Sequence, residues 1–166
     1  WHDIILNSPN PEKAWGNIFD SLKGLAQTTT SPVALHDHTV IPDRLLSEAA
    51  WNLWHAYPDA AVKTSDELKK WCTSPSSTGK AVLLLDALSL RELPSLIAGA
   101  ESHGIDPMTI RVTGSESPST TDHFASAIGL QSRSALTDDG KPGTFVLFDK
   151  SYTDVWSIPF EDCSVP

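Results

Sequence analysis

Apolar positions recur at two different spacings along this chain, and the change between them divides it. Trp15, Ile18, Phe19, Leu22 and Leu25 fall three or four residues apart, which sets them on one face of an α-helix. Asn10-Pro11 stands just ahead of them. Asparagine caps a helix well, and a proline in the first turn loses no N–H that the helix needs. Thr28-Thr29-Thr30-Ser31-Pro32 breaks this helix, and the short apolar piece from Val33 to Leu35 reads as extended. A second helix is predicted to open near Pro42, to carry Leu45, Leu46, Ala49, Ala50, Leu53 and Trp54 as its stripe, and to end at Pro58. A third, short helix follows Thr64. Glu67 lies three residues on, which fits a capping box, and Leu68 and Trp71 would face inward.

Thr73-Ser74-Pro75-Ser76-Ser77-Thr78-Gly79 is a polar linker with two turn formers. It is the one low-complexity stretch, and no internal repeat occurs. The expected organisation is a helical lead-in segment over residues 1–75 and an α/β segment over 76–166. Ala81-Val82-Leu83-Leu84-Leu85 is a continuous apolar run ending in Asp86, as in a strand buried on both faces of a parallel sheet. Ser89 and Glu92 form a second capping-box pattern. Leu93, Leu96, Ile97 and Ala100 give a helical stripe, and Gly104 is placed to stop it. Thr109 to Thr113 reads as another strand. Ser117-Pro118 opens a helix carrying Phe124, Ala127 and Ile128, stopped by Gly129. Asp138-Asp139-Gly140 is a turn, and Thr144 to Phe148 is a third strand, followed by Asp149. Strand, helix, strand, helix, strand implies right-handed crossovers. The expected fold class is therefore α/β, a parallel sheet with flanking helices preceded by a helical segment.

Composition narrows the partners. With 40% apolar and 20% charged residues, the chain of 166 is not a disordered polymer and can bury a core. The net charge of −9 argues against a long basic groove for nucleic acid and against an anionic membrane surface. No apolar run is long enough to span a bilayer. Trp1 stands where a start methionine would, and no charged-then-apolar leader follows, so the expectation is a chain trimmed from something longer. Cys72 and Cys163 are neither a disulfide framework nor a zinc motif. They read as reduced thiols of a cytoplasmic protein.

Candidate chemistry gathers at expected strand ends, where ligands of open parallel sheets bind. Asp86 there either holds a metal ion through oxygen or only caps the following turn. Ser115, Ser117, Ser119, Thr120 and Thr121 lead into a helix. They either meet a phosphate with a metal-activated hydroxyl or serve as N-caps. His36-Asp37-His38 is the one local histidine pair. In an extended segment both rings would face one side, so the pair either binds a metal or lies in a polar loop. His103 sits near a helix end, and His123 four residues after Ser119. No Gly-x-Ser-x-Gly elbow and no glycine-rich phosphate loop occurs. The six tryptophans mostly fall on apolar helical positions and read as core.

The stretch Lys80-Ala81-Val82-Leu83-Leu84-Leu85-Asp86-Ala87-Leu88-Ser89, with Glu92 after it, resembles the opening motif of PglZ domains, members of the alkaline phosphatase superfamily. Pro118 to Leu130 is similar to that family's nucleophile segment. The resemblance runs over about residues 80 to 130, weakens to 150, and leaves the first 75 residues aside. It implies the first half of an alkaline-phosphatase-like fold. Asp86 would bind a divalent metal, zinc or manganese. Ser119 would be the metal-bound nucleophile, with Thr120 or Thr121 as register alternatives. The implied activity is metal-dependent hydrolysis of a phosphate ester or phosphodiester, in a bacterial, cytoplasmic phage-defence system of the BREX type or a signalling protein. The chain departs from the pattern at Ser89, where the family has arginine; the nearest here is Arg91. The family's downstream Asp-His pair is also missing, and Asp149 and Asp154 have no neighbouring histidine. The metal site is thus expected to be incomplete. The competing expectation is a non-catalytic module, derived from that fold, that binds protein partners of a defence or signalling complex. The acidity is compatible with a phosphate substrate, because a bound metal ion supplies the local positive charge.

Overall fold

The computed structural model describes residues 1–29, 31–85, 88–106, 109–136, 145–148 and 150–152. They belong to two compact units. The first joins Trp1–Val62 to Leu83–Gly114, and the second joins Lys63–Val82 to the described residues of Ser115–Pro166.

The first unit is helical. Helix α1 covers His2–Asn7, α2 Pro11–Thr28, α3 Pro32–Ala49, α4 Trp51–Ala60 and α6 Leu93–Ser102. α2 starts as its cap chemistry predicts: Asn10 Oδ1 accepts from the Lys13 N–H at 2.8 Å, with Pro11 in the first turn. Its stripe packs on α4. Trp15 is 2% and Ile18 1% exposed, and they pack with Leu53 and Tyr57, while Phe19 and Leu22 lie against the cluster's edge. The Trp15 ring stands edge-on to Tyr57 at 4.8 Å and to Trp54 at 4.9 Å between centroids. Its indole N–H donates to the Leu53 carbonyl at 3.2 Å. The core role expected of the tryptophans therefore holds for Trp15, whereas Trp51 stands 68% exposed.

Two expectations about this unit fail, and the predicted helix from Pro42 to Pro58 is divided between α3 and α4 at Ala50. Val33 to Leu35 is helical, and the prolines at 42 and 58 lie inside α3 and α4 instead of bounding them. Ser31 caps α3, its hydroxyl accepting from the Ala34 N–H at 3.1 Å, and Pro32 occupies the first turn. That start signal launches the helix ten residues early. Pro42 costs one ladder hydrogen bond, but its ring is buried. α3 ends at Ala50, and the Trp54 indole N–H closes that end by donating to the Leu46 carbonyl at 2.9 Å.

A 3-10 turn over Leu90–Glu92 leads into α6, and here the predicted capping box forms. Ser89 Oγ accepts from the Arg91 N–H at 3.1 Å, and the Ser89 N–H donates to Glu92 Oε2 at 2.9 Å. Gly104, at φ +73°, ends α6 as predicted. Its N–H donates to the Glu101 carbonyl and the Ile105 N–H reaches back to Ala100, the paired bonds of a Schellman ending.

In the second unit, α5 covers Thr64–Thr73 and α7 Thr121–Ala127. Lys63, one residue earlier than expected, is the N-cap position of α5. Gly129 at φ +92° terminates α7 through bonds from its own N–H to Ser126 and from Leu130 to Ala125. The unit's core is Cys72, Ile128 and Leu147, flanked by Leu68, Phe124 and Leu130. Strand β1, Phe145–Leu147, pairs antiparallel with β2, Lys150–Tyr152, in a tight hairpin with Leu147 opposite Lys150.

The expected α/β class is overturned. The described residues are mostly helical, and their strands are the two of this antiparallel hairpin. Ala81–Leu85 and Thr109–Thr113, read as parallel strands, are irregular. The third expected strand exists as β1, but its partner is its own neighbour in sequence. Among the described residues there is no parallel sheet for an alkaline-phosphatase-like half domain. The error has a physical source. An apolar run records a wish for burial, whereas a strand exists only with a ladder partner, and none faces 81–85 among the described residues. The Asp138-Asp139-Gly140 turn lies outside the described residues.

Candidate functional site

Of the residues expected to carry chemistry, the structure places the hydroxyl cluster and leaves Asp86 outside the described residues, along with Asp149, Asp154 and Cys163. Ser119 and Thr120 are exposed and Thr121 is half-buried, at the start of α7. Thr120 is the N-cap. Its Oγ1 accepts from the His123 N–H at 3.3 Å and lies 2.7 Å from His123 Nδ1. The neighbouring Asp122 carboxylate accepts from the Arg133 N–H at 2.8 Å and ties the helix to the 3-10 turn Arg133–Leu136. A hydroxyl against an imidazole has the makings of a nucleophile and base. Here both groups belong to one turn of helix, and the threonine oxygen is engaged as its cap. The geometry is that of a helix start.

No group of three His, Cys, Asp or Glu side chains converges among the described residues. His36 and His38 lie on α3, not on an extended segment. Two positions apart on a helix is about 200° around its axis, so the rings cannot share an ion. His38 Nδ1 instead lies 2.7 Å from the Ala34 carbonyl, and His103 Nδ1 2.9 Å from that of Gly99. His55 stands edge-on to Trp51 at 5.0 Å. Arg91, the nearest arginine to the family's pattern, turns its Nε to the Ser89 hydroxyl at 3.2 Å, within the cap. Glu92 has a displaced pKa. The Ser89 hydroxyl first, then the Ser89 N–H, holds its carboxyl below the usual range. That is a property of the cap.

Lys80 has a structural post. Its ammonium donates to the carbonyls of Trp71, Cys72 and Ser74, with Ser74 O at 2.6 Å, and sits 5.0 Å from the centre of the Trp71 ring. It closes the negative end of α5. Cys72, buried at 4% exposure, packs in the core of the second unit.

What the sequence reading missed is the state of the leucine run. Leu83 is 76% exposed, Leu85 51%, Leu88 46% and Leu84 41%. From Ala81 to Leu85 the backbone N–H and C=O groups meet no hydrogen-bond partner among the described residues. The run was legible, but as a strand already covered. Comparison with protein-family models, with curated proteins and with solved structures found no match. No helix among the described residues is long and apolar enough to cross a membrane.

Proposed function

We propose that this chain works as a docking module for another polypeptide, with Leu83, Leu84, Leu85 and Leu88 as the contact. One observation carries the reading: Leu83, Leu84 and Leu85 stand in solvent on backbone that has no partner among the described residues. Exposed apolar residues scattered singly need no explanation, but a contiguous cluster marks a surface that something covers. The unpaired backbone adds direction to it. A second extended chain can answer the N–H and C=O groups of alternate residues, the mode in which strands are added to an edge. The enzymatic reading, metal-dependent phosphoester hydrolysis through Ser119, finds no support in a convergent ligand set among the described residues.

Photo-crosslinking tests the proposal. A benzophenone side chain placed at Leu85 is expected to give a discrete covalent adduct with a polypeptide in the source cell. The same group at Glu12, on the exposed flank of α2, is expected to give none. No adduct from Leu85, or the same adduct from both positions, would overturn it.

A further inference from the structure

We propose that Ser74 is a phosphorylation site, and that a phosphate there draws Lys80 away from the C-terminal end of α5. Four serines of the chain precede a proline: Ser8, Ser31, Ser74 and Ser117. A proline holds the residue before it extended and has no N–H of its own. A protein kinase whose cleft leaves that position unbonded selects such a serine. The four differ in their surroundings. Ser8 and Ser31 are half-buried; the first donates to the Ile4 carbonyl at 2.6 Å and the second caps α3. Ser117 is exposed, but it follows the carboxylate of Glu116, which would repel a phosphate. Ser74 is exposed, sits on extended backbone at φ −64° and ψ 146°, and has a cation in place: Lys80 Nζ lies 2.9 Å from its Oγ.

The step is a group transfer. The Ser74 oxygen attacks the γ-phosphorus of a nucleoside triphosphate held by the kinase, and the bond from that phosphorus to the β,γ-bridging oxygen breaks. The nucleoside diphosphate leaves, and the hydroxyl proton passes to a base of the kinase. The product carries about −1.5 to −2 charges and three acceptor oxygens. Lys80 then has two claims on it. Its three N–H donors already serve four acceptors, the carbonyls of Trp71, Cys72 and Ser74 and the Ser74 hydroxyl. An ammonium holds a phosphate more strongly than a neutral carbonyl, because charge meets charge. Lys70, in the same last turn, is paired with Glu67 at 2.6 Å. The phosphate itself stands at the negative end of the helix, where an anion is disfavoured. Both effects open the last turn of α5.

Three measurements on the full chain test this. Peptide mass spectrometry of the chain isolated from its source cell is expected to find phosphate on Ser74. Treatment of the unmodified chain with a proline-directed serine kinase and its nucleoside triphosphate is expected to add phosphate at Ser74, and Ser74→Ala is expected to leave that peptide unmodified. Amide exchange at Trp71–Ser74 is expected to run about fivefold faster in the phosphorylated chain. In Lys80→Met, where the ammonium is already gone, the phosphate is expected to add less than about twofold. No phosphate at Ser74 in the cell-derived or the kinase-treated chain overturns the site. A phosphate there that leaves exchange at Trp71–Ser74 unchanged, or that speeds it equally in Lys80→Met, overturns the switch.

Discussion

Gly114 is the position in the first unit where one methyl group has the most to displace. A Cβ built there falls inside van der Waals contact of Tyr57 Oη, 3.0 Å from Tyr57 Cζ and 3.3 Å from Phe19 Cζ. The tyrosine has little room to retreat. Its residue is 7% exposed, and its ring is held edge-on by Trp15 at 4.8 Å and against Trp54 at 5.4 Å. The glycine is pinned as well, its N–H donating to the Val62 carbonyl at 2.8 Å. Forcing a methyl into a packed site costs about 1–3 kcal/mol. Alanine also restricts the unfolded chain, which returns roughly 0.4–1 kcal/mol. The net expectation for Gly114→Ala is a loss of about 1–2 kcal/mol.

Urea unfolding followed by tryptophan emission reads this directly, because Trp15 stands against the displaced ring. With a slope of about 1–3 kcal/mol per molar, the midpoint drops by roughly 0.5–1 M. Tyr57→Phe removes the atom that the new methyl meets first. In that background the further cost of Gly114→Ala shrinks, giving a coupling energy of about 0.5–1 kcal/mol. A Gly114→Ala variant as stable as wild type, or a cost unchanged by Tyr57→Phe, would show that the glycine is not there for close approach.

Two smaller perturbations test the helix ends. Lys80→Met keeps the aliphatic stem over Trp71 and removes the three donors, so the last turn of α5 frays. The expected cost is about 1 kcal/mol, with faster amide exchange confined to Trp71–Ser74; an unchanged exchange profile there refutes the cap. Glu92 gives the capping box at Ser89 a dependence on pH. Its carboxyl is depressed in the folded chain, so its contribution is fully present above the unfolded carboxylate range and is lost as pH falls through the folded value. Amide protection at Ser89 should therefore fall on acidification below about pH 4.5. In Glu92→Gln it should be flat across that range, and a wild-type response in the variant refutes the assignment.

The features legible in the sequence are those whose physics is local. Asn10, the Ser89–Glu92 pair, Gly104 and Gly129 each act within four residues of themselves, and the structure puts each to its predicted use. The stripe of α2 was legible for the same reason, since the period of a helix is a property of one segment. The prolines misled because a start signal at Ser31-Pro32 outweighs one lost hydrogen bond at Pro42. The strands misled because pairing is not local. Ala81–Leu85 and Phe145–Leu147 look alike as apolar runs, yet among the described residues only the second has a strand partner, three to seven residues along the chain. Of the site, the hydroxyls at 119–121 were legible both as candidate chemistry and as N-caps, and Thr120 is the cap of α7, while Asp86 lies outside the described residues.

The leucine run shows what such a pattern does determine. Burial on both faces was the right demand to read from five apolar residues in a row, because nothing in their chemistry rewards contact with water. What the pattern leaves open is the source of the cover, which can come from the same chain or from another. The described helices do not supply it, since Leu83 and Leu85 keep half or more of their surface in solvent. On the docking reading another polypeptide supplies it, and a charge placed at Leu83 would stand in the middle of that contact.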